Sequence, residues 1–242
     1  MNNNWKDAWV IFKRDIRLDR LYLIWNVIFM VYLAVAISVF TDSSGKAGVF
    51  MNPMADFMLL TLLPVTGFYF SRRSFSYIKE DSYTRMLQYY RTLPIQLITI
   101  LRGRFIQLFT AMLFNGIVFY PALYLFTGIA GDGPLGHIDE LLALALTWSG
   151  YALLINGIFI YFEFLSEGRR YFWIGSLVML IAGAMAFLVH WLDGSMLAFT
   201  LEQSRRYSLL SPSMWGSLVL GGASLAIFSK ITLSKLGRRD LI

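Results

Sequence analysis

The chain has 242 residues, of which 57% are hydrophobic, 17% aromatic and only 15% charged, with a formal net charge of +6. A soluble domain draws about a quarter of its residues from charged types and keeps roughly a third of its unfolded surface wet, so this composition excludes a water-soluble globule. The same hydrophobicity excludes a disordered chain, and the absence of cysteine removes disulfides, thiolate nucleophiles, iron–sulfur ligation and sulfur-bound zinc.

The chain opens on the polar stretch Met1-Asn2-Asn3-Asn4-Trp5-Lys6-Asp7, which lacks the apolar run and small-residue cleavage site of a removable signal peptide. Trp5, Trp9, Phe12 and Ile16 then recur at helical spacing on one face, with Lys6, Lys13, Arg14 and Arg17 mostly elsewhere. A basic helix with an aromatic stripe lies in the membrane interface. Over residues 1–20 it would do so, and packing of the stripe on a helix bundle is compatible with that.

Crossing about 30 Å of hydrocarbon takes roughly 20 mostly apolar residues in a helix. Six stretches qualify, at 21–40, 54–70, 105–127, 141–165, 171–192 and 213–233. The second is short and carries Asp56 near one end. The runs are continuously apolar, which excludes the alternating strands of an outer-membrane barrel. The expected fold is therefore an all-α membrane protein of six transmembrane helices, forming one domain over 1–242 without internal repeats. The loops 41–53, 128–140 and 193–212 are too short for an external domain, and Gly131-Asp132-Gly133-Pro134 marks a turn.

Orientation follows from lysine and arginine. Of the 21 in the chain, all but Lys46, Arg205 and Arg206 fall at the N-terminus, in 71–104, in the turn 166–170 or near the C-terminus. Positive loops stay on the cytoplasmic side, so both termini are expected there. Basic residues spread over four segments are topology signals and give no reason to invoke nucleic acid.

The segment 71–104 is too long for a turn and too charged for lipid. Residues 83–93 read as a helix with Asp81 or Ser82 as its N-cap, ended before Pro94. Two readings stand for it: a docking surface for another protein, or an ordinary interfacial loop.

Polar groups inside spans are costly and mark function by default. Asp56 falls where solvent can reach it, and Glu163 lies close to Glu167, Arg169 and Arg170, with which it can pair. A structural or interfacial role is favoured for both over substrate contact. Asn26, Asn115 and Asn156 suit bonds between helices, Pro64 and Pro121 suit kinks, and Gly221-Gly222 with Ser224 suit close helix approach. An intramembrane hydrolase would need Ser149 or His190, but the glycine two residues before the serine in the rhomboid pattern is replaced by Thr147. There is no H-E-x-x-H, and no G-x-x-x-x-G-K-[ST], so the chain lacks a phosphate-cradling P-loop of its own.

The run Tyr90-Arg91-Thr92-Leu93-Pro94-Ile95, followed by Ile100-Leu101-Arg102-Gly103-Arg104, resembles the cytoplasmic loop of ABC type-2 transporter permeases. The ending Leu236-Gly237-Arg238-Arg239-Asp240-Leu241 is similar to the basic tails of that family. The resemblance implies a non-catalytic permease subunit of an exporter, and the positive-inside bias with no cysteine or signal peptide suits the plasma membrane, the inner membrane of a bacterium. It implies a second permease copy or a related permease as partner, and a separate ATP-binding subunit that holds ATP and Mg. By the same resemblance, the loop between spans two and three carries a coupling helix, matched here by Tyr83, Met86, Leu87, Tyr90, Arg91, Leu93 and Pro94. A proton- or ion-coupled carrier is the alternative, for which Asp56 and Glu163 would be needed.

Overall fold

A backbone in hydrocarbon has no water to bond, so long apolar runs close their hydrogen bonds internally as helices. The computed structural model describes residues 4–41, 48–130 and 137–237, and among these there is no strand. Five described helices are long and apolar enough to cross a membrane: α2 (Tyr22–Thr41), α6 (Leu97–Ala130), α7 (Ile138–Leu165), α8 (Gly168–Trp191) and α10 (Pro212–Leu236). These properties are those of an all-α, multi-pass membrane protein.

Three expectations are corrected. The second span is no continuous helix over 54–70: α3 (Gly48–Leu62) gives way to a 3-10 turn, Leu63–Gly67, and then to extended backbone at Phe68. Pro64 causes the break, because it has no N–H for the carbonyl of Leu60 and its ring opposes the preceding turn. Second, α6 starts at Leu97 instead of 105, which takes Arg102 and Arg104 out of the loop and into its first turns. Third, the loop expected at 193–212 contains a helix, α9 (Met196–Tyr207), capped by the Ser195 hydroxyl. The tail from Arg238 and the turn Gly131–Pro134 lie outside the described residues.

The N-terminal helix, α1 (Asn4–Leu18), lies against α6. Its buried face is Ala8 and Phe12, flanked by Ile11 and Ile16, while Trp5 and Trp9 stay about half exposed. The aromatic stripe is thus split between the bundle and the outside.

α7 and α10 run side by side, in the most extensive pairing among the described helices. A Cβ on Gly150 would meet backbone and side-chain atoms of Ser217 at 2.5 Å, and one on Gly221 would strike the Gly150 carbonyl oxygen. Farther along, Gly157 faces Ser224, whose hydroxyl donates to the Leu154 carbonyl at 2.8 Å. Small residues let the backbones approach, and dispersion with close hydrogen bonds replaces the hydrophobic effect that lipid cannot supply. Gly222, next in sequence, faces open space.

Gly221→Val should therefore force α7 and α10 apart and cost about 1–3 kcal/mol, as overpacking does elsewhere. Gly222→Val should leave the unfolding midpoint unchanged. Thermal unfolding of both variants in one detergent checks the pair, and equal midpoints would refute the close approach.

Candidate functional site

Breaking α3 inside an apolar bundle frees backbone groups that water cannot reach, and side chains from neighbouring helices bond five of them. The Leu60 carbonyl, which Pro64 leaves without its donor, accepts from the Tyr151 hydroxyl at 2.7 Å. Pro64 O accepts from Asn156 Nδ2 at 2.9 Å. Asn115 Nδ2 donates to Thr66 O and Phe68 O at 2.9 and 3.0 Å. Asn26 completes the set: its Nδ2 donates to Phe68 O and to Asn115 Oδ1, and its Oδ1 accepts from Phe70 N at 2.7 Å. The expected asparagine bonds between helices are present, but they converge on the broken segment, joining α2, α6 and α7 around it.

Beyond the break, the Phe68 ring lies 4.9 Å under the Arg104 guanidinium. Arg104 and Glu163 are each about 5% exposed, and Arg104 Nε donates to both Glu163 oxygens, at 3.0 and 3.2 Å. Glu163 thus pairs across to α6 and not with Arg169 or Arg170, which point outward. In the sequence this partner is hidden, because the charge on Arg104 reads as loop and not as span. Arg104 Nη1 has no partner among the described residues. The pair borders a cavity of about 50 Å³ that Tyr83, Tyr90, Ser71 and Gln107 also line, room enough for ordered water.

Over this pair sit two short helices. α4 (Arg72–Glu80), which was not expected, is capped by Ser71, whose Oγ accepts from Ser74 N. α5 (Ser82–Arg91) falls close to the expected helix and stops short of Pro94. Asp81 occupies the cap position in the left-handed region, with φ of 46°, but makes no cap bond to α5. Its carboxylate instead accepts from Gly168 N at 2.8 Å, fastening the α4–α5 corner to the start of α8. Gly168 has no room for a side chain there, because a Cβ would strike the Tyr77 carbonyl.

The seven residues expected to dock a partner divide by face. Tyr83, Leu87 and Tyr90 point inward and are buried. Leu87 and Tyr90 pack with Leu101, Ile160 and Phe164, and Met86 and Leu93 pack against the same cluster half-buried. A partner would not reach the buried three without moving α5. Burial, with Glu163 nearby, pushes the Tyr83 phenol above its usual range and keeps it protonated. Arg91 reaches the last turn of α10, donating to Leu236 O at 2.7 Å, where a cation complements the helix C-terminus. Arg14 of α1 donates to the Tyr90 hydroxyl at 3.0 Å while paired with Asp15. The outward face of α5 consists of Arg85, Gln88 and Tyr89, with Pro94 exposed just beyond.

At the opposite end Asp56 is buried, a correction to its expected solvation. Its oxygens accept from Leu197 N at 2.8 Å, Met196 N at 2.7 Å and the Ser195 hydroxyl at 3.2 Å. It therefore anchors the N-terminus of α9, where a carboxylate meets free N–H groups and the positive end of the helix dipole. Among the described residues no hydrogen bond joins Ser149 to His190. No group of three or more His, Asp or Glu among the described residues is placed to hold a metal.

Removing one member of a buried ion pair strands the other charge, at about 3–5 kcal/mol. Glu163→Leu should lower stability by that amount, and the double variant Arg104→Met with Glu163→Leu should recover most of it. A double-mutant cycle by denaturant titration in detergent checks this, and additive losses would show that the two groups do not act as a pair.

Compared with known proteins, the chain matches no protein-family model, no curated protein sequence and no solved structure.

Proposed function

We propose that this chain is the permease subunit of an ATP-driven exporter of the ABC type-2 class, paired with a second permease and driven by a separate ATP-binding subunit. In this reading the bundle crosses the membrane six times, the broken α3 being the short crossing, and the end bearing α1, α4 and α5 faces the cytoplasm. The observation that carries the reading is the seat of α5. Its outward face presents Arg85, Gln88 and Tyr89, while its inward face reaches α6 and α7 through Leu87 and Tyr90, and α10 through Arg91. A push on that surface moves three spans together, which is what a rigid coupling element requires.

Of the expected docking residues, the buried ones then transmit motion, and the exposed ones, with Arg85, Gln88 and Tyr89, make the contact. The carrier alternative is disfavoured by the two buried carboxylates, both fully engaged in bonds that hold the fold.

Gentle solubilisation of the tagged chain from its native cell should bring down a stoichiometric soluble protein bearing a P-loop. Purification of the chain alone across several mild detergents would overturn the proposal. Within the complex, Tyr89→Asp combined with Arg85→Glu should release the ATP-binding subunit while the permease stays folded and inserted. Retention of the partner by that variant would remove α5 as the docking element.

A further inference from the structure

At the end of the bundle away from α4 and α5, a lateral pocket of about 520 Å³ opens between α7, α8 and α9. Its size is that of a small-molecule site. Leu60, Trp148, Tyr151, Met185, Val189 and Phe199 form most of its wall. The hydroxyls at the wall are turned away from it. Thr147 donates to Ala143 O, Thr200 to Leu197 O, Ser217 to Met214 O, Tyr151 to Leu60 O and Ser195 to Asp56. What the pocket presents is hydrocarbon, and apolar cavities do not hold water. Met185 and Phe199, 47% and 57% exposed, sit at its mouth on the side the spans offer to lipid.

Charge fixes the other end of the ligand. Phe199 and Arg206 are seven residues apart on α9, hence on one face and about 10 Å apart along the axis. Arg206 lies over the Tyr207 ring at 5.6 Å, and neither it nor Arg205 has a carboxylate within ion-pair reach among the described residues. A guanidinium on an aromatic face, beside a second one, suits the planar recognition of phosphate.

We infer that this pocket and the C-terminal half of α9 form a binding site for one anionic glycerophospholipid. An acyl chain lies between α7, α8 and α9, and the headgroup phosphate is held by Arg206 with Arg205 beside it. The site is independent of the transport reading: it needs neither an ATP-binding subunit nor a given orientation in the membrane.

The test is native mass spectrometry of the full chain in non-ionic detergent, with dioleoyl phosphatidylglycerol or dioleoyl phosphatidylcholine added. One phosphatidylglycerol should survive activation that strips the micelle, with an affinity about tenfold above phosphatidylcholine, the size of one charge-assisted contact. Arg206→Gln should erase that preference by weakening phosphatidylglycerol about tenfold more than phosphatidylcholine, whose phosphate is already offset by its own choline cation. Met185→Trp, which fills the mouth from an exposed position, should lower retention of both lipids at least tenfold. Monodisperse elution and an unchanged helical circular dichroism spectrum confirm that the variants fold. Equal retention of the two lipids by the unmodified chain, no retained lipid, or a variant that binds like the parent would each overturn the assignment.

Discussion

A missing N–H at Pro64 sets the constraint on which the rest of this structure depends. In water a proline break in a helix exposes a few carbonyls, which the solvent bonds. In an apolar bundle the same break leaves polar groups whose only possible partners are other parts of the chain, and each one left over costs several kcal/mol. Four side chains from α2, α6 and α7 meet that demand: Asn26, Asn115, Tyr151 and Asn156. Because these bonds are directional, they set the depth and rotation of three spans relative to a segment of about two turns. General hydrophobicity cannot do this, since lipid chains are as apolar as leucine.

The break also positions the charge pair. Phe68, first residue past the 3-10 turn, is extended, and its ring rests against the Arg104 guanidinium. Arg104 in turn holds Glu163 in α7, and Tyr83 of α5 closes the same cavity. A continuous set of contacts therefore runs from the middle of the bundle to the short helix over its end. Phe68, Arg104 and Glu163 are joined by ring and polar contacts, and Tyr83 faces the pair across the cavity that they share.

Much of this was legible in the sequence, for reasons that differ by element. The five long spans announce themselves by continuous hydrophobicity, which depends on composition and little else. The helix of α5 was visible because Pro94 supplies a local stop. The small-residue contact of α10 was visible at Gly221 and Ser224, though not which of two adjacent glycines faces α7, since that depends on a rotation set by tertiary contact. The break in α3 was seen only as a kink. Proline signals a lost bond, but whether the helix continues depends on partners such as Tyr151, which is 91 residues away from Leu60. The Arg104–Glu163 pair is not legible because a charge reads as the end of a span, whereas α6 carries it inward to a partner 59 residues on. α9 was missed because its main anchor, Asp56, lies 141 residues from Leu197, whose N–H it accepts from. Ser195 was a local signal for that helix and the only one available.

The two buried carboxylates bear on the choice between the proposed ATP-driven permease and the proton-coupled alternative. A carrier that couples to protons needs a carboxylate that can be emptied and refilled during the cycle, with an alternative conformation that tolerates its neutral form. Asp56 accepts two backbone N–H bonds and a hydroxyl, so protonating it would loosen the start of α9. Glu163 has both oxygens on one guanidinium, and neutralising it would leave Arg104 charged in an apolar setting, the costlier half of a broken pair. Each group is committed to holding an element in place. Under the proposed permease reading, the energy of the cycle enters elsewhere, and α5, exposed on one face and packed on the bundle on the other, is where that proposal places the contact with a second protein.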